Sequence, residues 1–330
     1  MFLKVKLAHI EKPDENWERF FKKVWPYYKK WFLVEGHTRR AGYLSSSEAL
    51  KEHMPEFSEP YTQLCDLAGG GDLESRFLSM YCPPPYISGC SQLAWTKNDY
   101  VLTRNYDYHP KFFDGRFLST NWLKPVMGMS DSTWGLLDGI NDDGLAVSLA
   151  FGGKKITGVG FGIPILVRYI LETCSNTEEA IEAIKRVPVH MAYNLTIIDA
   201  KGTYITAWLS PEEEPKFVYE AVATNHQAQI DWPEYANFSK SVARKLLLQE
   251  YVSYSEASSS ELVSAFLKEP LCSQYYEKGF GTLYTAQYNS FLKTAKLIWP
   301  DKSVDISFND FQEKTIQINL KKHIKHKLSL

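Results

Sequence analysis

The sequence predicts an α+β fold in which antiparallel sheets pack against helices. Three observations lead there. Runs of alternating apolar and polar residues come in pairs joined by short turn-forming segments, the pattern of hairpins. Two helix-patterned stretches lie between the second and third pairs, and a third follows them. The first 82 residues differ in composition, being polar and aromatic with helix-like periodicity.

In chain order, "ENWERFFKKVWPYYKKWF", "SSSEALKEHM" and "LESRFLSMY" read as helices, separated by "VEGHTRRAG" and "LAGGGD". Their paired aromatics at helical spacing form a packing face. "PPP" at 83–85 stops any helix and forces an extended approach to Gly89 and Cys90. "CSQLAW–TKND–YVLTRNYD" is the first hairpin. "WGLLDGI–NDDG–LAVSLAF" is the second, with Asn-Asp-Asp-Gly suited to a tight turn. "GVGFGIP" lacks both the GxGxxG spacing and a P-loop lysine, so it is a loop leading into the helix "IPILVRYILETC". The next helix, "SNTEEAIEAIKRV", opens with a Ser175/Glu178 capping box and lays Ile181, Ile184 and Val187 on one face. "NLTIIDAKGTYITAWL" turns at Ala200-Lys201-Gly202 as a third hairpin. "FSKSVARKLLLQEY" is a further helix, and "GTLYTAQYNSFLKTAKLIW" a fourth hairpin.

A chain of 330 residues, 44% hydrophobic, buries a sizeable core. With Lys+Arg 37 against Asp+Glu 39, no global field recruits nucleic acid or an anionic membrane. The basic run at 321–330 reads as a solvated tail. The N-terminus has no signal-like apolar core, and no stretch is long enough to span a membrane. Five cysteines without a CxxC pair argue against a disulfide framework or a zinc knuckle, and no ligand spacing calls for a metal. A cytoplasmic protein with reduced thiols and no cofactor is expected. Whether it forms a homo-oligomer stays open.

The first hairpin carries the chemistry. With its turn centred near Asn98, Cys90 lies opposite position 106, and directly opposed side chains sit roughly 5 Å apart. Arg104 and Asp107 therefore arrive beside Cys90. They differ in parity, so a bulge or the strand end must bring both to one site. A nearby guanidinium favours the thiolate, and a carboxylate can hold a protonated base. The plain alternative is a buried thiol beside an ordinary ion pair. The aromatics Trp95, Tyr106, Tyr108, Trp122 and Trp134 supply core, with a share available to an acyl pocket.

"GCSQ" followed by "RNYDY", then "GINDDGLAVSLAF", "SNTEEAIEAIKRVP", "NLTIIDAKG", "ATNHQ" and "GTLYTAQYN", resembles the N-terminal-nucleophile (Ntn) amidohydrolases over about residues 80–320. The resemblance is to the acyl-coenzyme A:6-aminopenicillanate acyltransferase type, with bile-salt hydrolases and penicillin V acylases as cousins. It implies an αββα four-layer sandwich and self-cleavage between Gly89 and Cys90. The chain then divides into a helical pro-segment, 1–89, and a catalytic domain, 90–330.

On that pattern Cys90 is the nucleophile and its freed α-amine, with an unperturbed pKa near 7.7–8.0, the general base. Asp107 orients the amine, and Arg104 steadies the pair or meets substrate. Asn225 donates to the oxyanion, a contribution of roughly 2.7–4 kcal/mol for such donors. Asn194 is a second polar candidate, and Arg244 stands for the later arginine of the cousins. Phe151 occupies a position where bile-salt hydrolases carry an asparagine. The implied partner is a small N-acyl amide, with an acyl-CoA donor if the enzyme transfers rather than hydrolyses. Two other readings remain at this point. One is a Cys–His hydrolase using His226 without self-cleavage, and the other a non-catalytic binding protein whose pocket residues 1–89 permanently cap.

Overall fold

The computed structural model describes residues 2–254 and 258–320; the basic run at 321–330 lies outside them. The chain opens with β1 (Phe2–Ile10), then α1 (Glu15–Phe32), α2 (Tyr43–His53), α3 (Ser58–Leu67) and α4 (Asp72–Ser79). β2 (Gly89–Trp95) and β3 (Val101–Tyr108) precede β4 (Arg116–Asn121), β5 (Pro125–Asp131), β6 (Gly135–Asn141) and β7 (Ala146–Phe151). Next come α5 (Ile163–Thr173), α6 (Thr177–Arg186), β8 (Tyr193–Ile198), β9 (Tyr204–Ser210), β10 (Glu213–Val218) and β11 (Val222–Ala223). α7 (Pro233–Phe238), α8 (Ser241–Tyr254) and α9 (Ser259–Phe266) follow. The described chain closes with β12 (Gln274–Tyr275), β13 (Phe280–Asn289), β14 (Thr294–Trp299), β15 (Lys302–Ser307) and β16 (Lys314–Asn319).

Two sheets stack face to face. One has nine strands in the order β10-β9-β8-β7-β6-β5-β4-β1-β16; the other has seven, ordered β11-β2-β3-β13-β14-β15 with β12 beside β13. α5 and α6 cover the outer face of the first, and α8 and α9 that of the second. The architecture is the αββα sandwich. All four expected hairpins form, with turns that suit their residues: Gly144 and Gly202 adopt φ of +88° and +80°, and Asn141 Oδ1 accepts from the Leu145 amide. Among the described helices, none is long and apolar enough to cross a membrane.

Two expectations need correction. The capping box of α6 sits one residue later than read: Asn176, in extended backbone, caps Glu179 N. The Glu179 carboxylate reaches back to Ser175 N at 2.7 Å. On that helix Ile184 and Val187 are buried while Ile181 is half-buried. The N-terminal segment is helical over α1–α4, but it also supplies β1, which lies inside the nine-stranded sheet between β4 and β16. β1 pairs parallel to β4 and antiparallel to β16, both distant in sequence, so nothing local announces its place in the sheet. Side chains bolt the same segment down. Trp17 Nε1 donates to Thr133 O at 3.1 Å, and Trp134 Nε1 to Leu78 O at 2.9 Å. On the aromatic face of α1, Trp17, Phe21 and Trp25 stack in turn, and Trp25 meets Phe77 at a tilt.

β2 is buried throughout, and its alternation sorts the site. Cys90 and Ala94 join the main core between the sheets. Leu93 and Trp95 join a second core with Leu248, Leu262 and Phe266 beneath α8 and α9.

Candidate active site

Cys90 pairs with Tyr106 and Gly89 with Asp107, the register that centring the turn near Asn98 requires. Arg104, two residues from Tyr106, shares the inner face, and its Nη2 lies 3.2 Å from Cys90 Sγ. The guanidinium also stands 4.8 Å from the Tyr106 ring centroid. Its Nη1 donates to Leu137 O at 2.9 Å and forms a fully buried ion pair with Asp138 of β6. The hydroxyls of Tyr284 and Tyr288 close on the same carboxylate. Asp138, Tyr284 and Tyr288 thus hold the arginine that holds the sulfur. Burial pushes the Cys90 thiol above its ordinary range, and Arg104 pulls it back only in part. In the continuous chain the thiol is protonated at neutral pH.

The backbone nitrogen of Cys90 meets a different set. It donates to Asn225 Oδ1 at 3.0 Å. Arg244 Nη2 donates to the same oxygen at 2.7 Å, which fixes the amide's orientation because a guanidinium can only donate. Asn225 Nδ2 therefore faces the carbonyls of Ser88, at 3.3 Å, and Phe151, at 3.2 Å. Arg244 is fully buried. It also binds the Cys90 carbonyl, Ser91 Oγ at 2.8 Å and, through Nε, Ser239 O at 2.8 Å.

Asp107 lies on this outer side. Thr282 Oγ1 donates to its Oδ1 at 2.6 Å, and Oδ2 stands 3.8 Å from Arg244 without a hydrogen bond. Burial pushes its pKa up to about 6 against the opposing pull of Arg244, Thr282 and Arg104. The parity difference is thus resolved at the strand end. Arg104 serves the sulfur, while Asp107 lies beside the backbone at Gly89. A Cβ on Gly89 would fall 2.0 Å from the Phe280 ring and 3.0 Å from Asp107 Cβ, so glycine alone fits.

Asn194 spends both amide hydrogens on the Thr224 and His226 carbonyls, at 2.8 and 3.0 Å. It clamps the segment that carries Asn225, while its Oδ1 is buried without a hydrogen-bond partner among the described residues. His226 Nδ1 faces Ser241 Oγ at 2.7 Å. Burial, with Lys245 and Arg244 adding, lowers its pKa to about 4. Cys90 Sγ has Arg104 and Ser88 Oγ as its polar contacts, so the geometry pairs no histidine with it. Besides the Asp138 cluster, sequence reasoning missed Tyr235, whose hydroxyl donates to Ser88 O at 2.8 Å. The one available signal was an aspartate inside the apolar run "LLDGI", since a buried carboxylate requires partners.

The sequence profile of the family described as acyl-coenzyme A:6-aminopenicillanic acid acyl-transferase matches residues 95–303, more than half of the chain. Arg104, Asp107, Asn194, Asn225 and Arg244 fall inside the match; Cys90 lies just before it. No curated protein matches the chain. Among solved structures, a mutant conjugated bile acid hydrolase from Clostridium perfringens aligns at 13% identity and TM-score 0.49, covering 70% of this chain and 97% of its own. Penicillin V acylase from Agrobacterium tumefaciens aligns at 14% and 0.48, covering 67% and 86%. A Caenorhabditis elegans ortholog of N-acylethanolamine-hydrolyzing acid amidase aligns at 13% and 0.44, covering 70% and 100%. On the profile match, the chain belongs to the acyl-coenzyme A:6-aminopenicillanic acid acyl-transferase family.

Proposed function

We propose that this enzyme cleaves its own chain between Gly89 and Cys90 and then uses Cys90 to break the amide bond of a small N-acylated molecule. One observation carries the reading. The sulfur of Cys90 rests on a guanidinium while its backbone nitrogen rests on the Asn225–Arg244 pair, so both ends of one residue are already engaged. In self-cleavage the Sγ–carbonyl bond forms at Gly89, the peptide C–N bond breaks, and the thiol proton passes to the departing Cys90 nitrogen. Water then splits the thioester, leaving a Gly89 carboxylate and a free thiol.

On substrate, the new α-amine takes the thiol proton and delivers it to the leaving amine. Asn225 Nδ2, released from Ser88 O, donates to the oxygen that gains charge. Asn225 Oδ1 and the Asp107 carboxylate hold the amine. Hydrolysis is the default outcome, because acyl transfer requires a pocket that excludes water. Residues 1–89 stay bound after the cut, since β1 is an interior strand and α1 is buried along its aromatic face.

Denaturing electrophoresis and mass spectrometry of the purified protein test the first step. The expected result is two pieces, 1–89 and 90–330, with Cys90→Ala leaving one. Activity on a panel of N-acyl amino acids, penicillins V and G and conjugated bile acids tests the second. Full activity in an uncut chain, or in Cys90→Ala, defeats the proposal.

A further inference from the structure

Building on the Cys90 mechanism just proposed, we propose that the Tyr235 hydroxyl is the second oxyanion donor, acting beside the side-chain amide of Asn225. Both groups converge on one oxygen in the continuous chain. Tyr235 Oη donates to Ser88 O at 2.8 Å and Asn225 Nδ2 reaches it at 3.3 Å. Ser88 itself borders the sulfur, with its Oγ 3.8 Å from Cys90 Sγ. A carbonyl oxygen beside the nucleophile therefore already sits in a fork of two neutral donors. Once the cut lets residues 88–89 withdraw, the fork faces the place where a substrate carbonyl must stand.

The phenol is built in rather than incidental. Tyr235 is buried on α7. Its ring stacks on Trp232 at 5.3 Å between centroids and meets Phe151 edge-on at 5.3 Å. Phe151 itself offers no side-chain donor. Its carbonyl takes a hydrogen bond from Asn225 and its ring braces Tyr235. Burial raises the tyrosine's pKa, so the hydroxyl stays a donor at any working pH. A donor aimed at the developing oxyanion strengthens as charge accumulates, whereas one aimed only at the ground-state carbonyl gives no acceleration.

The test compares two reactions of the same sulfur on the self-cleaved protein, with Cys90→Ala subtracted as background. Acylation by p-nitrophenyl acetate passes through a tetrahedral oxyanion; alkylation by iodoacetamide does not. Tyr235→Phe is expected to slow acylation at least about 10-fold, below the roughly 10²–10³-fold known for losing such a donor with amide substrates. Alkylation should stay within about twofold.

Equal acylation rates in wild type and Tyr235→Phe overturn the proposal, as does a parallel fall in both reactions. So does failure of Tyr235→Phe to self-cleave, because the donors hold Ser88 O and not the scissile carbonyl. A wild type that is never acylated at Cys90 instead defeats the nucleophile assignment, a separate and recognisable result.

Discussion

Asp107 is expected to weaken the fold above pH 6, and replacing it should therefore stabilise the protein while damaging its chemistry. Its carboxyl is fully buried and its pKa is raised from 3.8 to about 6. Between those values the folded chain holds a proton that the unfolded chain has lost. Stability accordingly falls as pH rises through this window, and the full penalty is present above it. About two pKa units correspond to roughly 3 kcal/mol, a sizeable part of the 5–15 kcal/mol typical of a domain. The assay is urea denaturation of Cys90→Ala, which keeps the chain uncut, with and without Asp107→Asn, from pH 4 to pH 8. Other buried carboxylates titrate in both proteins and cancel in the difference. Asp107→Asn should gain up to about 3 kcal/mol near pH 7.5, and the gain should shrink towards pH 4. A difference that does not vary with pH would show that Arg244 and Thr282 cancel burial, and a loss that grows with pH that they outweigh it; either refutes the reasoning. In the Cys90 protein the same substitution should cut turnover sharply, because the amine loses the charge that holds it.

Asp138→Asn leaves the Arg104 charge without its buried counter-ion. It should cost about 3–5 kcal/mol in urea titration and shift the pH profile of Cys90 alkylation to lower pH, since a negative charge beside the arginine is gone. Gly89→Ala drives a methyl into the Phe280 ring and should slow self-cleavage, with Phe280→Leu in the same chain restoring part of it; electrophoretic time courses read both. His226→Ala should retain activity within a few-fold, because its Nδ1 serves Ser241; abolished turnover in a stably folded variant would restore a Cys–His mechanism.

Much of the site was legible because it is local. One turn centre, counted along the first hairpin, places Cys90 against Tyr106 and brings Arg104 to the sulfur. What stayed hidden depends on contacts distant in sequence. Asp138 reaches Arg104 across the gap between the sheets, and Arg244 reaches Cys90 from α8. Neither leaves a periodic mark, and Arg244 was singled out by family resemblance alone. β1 stayed hidden for another reason. "FLKVKLAHI" alternates as a strand should, yet its partners begin at Arg116 and end at Asn319. Asn194 drew attention as a polar residue opening the third hairpin, and the structure spends its two amide hydrogens on the Thr224 and His226 carbonyls.

The division of labour at Cys90 follows from the pleat. A strand sends successive side chains to opposite faces and keeps its amides in the plane of the sheet. A thiol pointing inward therefore meets Arg104 and the Asp138 cluster between the sheets, while the nitrogen of the same residue lies by Asn225, Arg244 and the outer layer. The sulfur and the nitrogen of Cys90 are separated by a few bonds and served by different electrostatic surroundings. A slip of one residue in the β2–β3 pairing would turn the sulfur away from the Asp138-held guanidinium and towards α8. The turn guards against that slip. Trp95 Nε1 binds Asn98 Oδ1 at 2.9 Å, and Asp99 is tied to Asn289 at 2.8 Å and to Ser259 at 3.1 Å. Asp99→Ala should therefore loosen the far end of the hairpin and lower the yield of cut chain although it touches no reacting atom. An unchanged yield would mean that burial of β2 holds the register unaided.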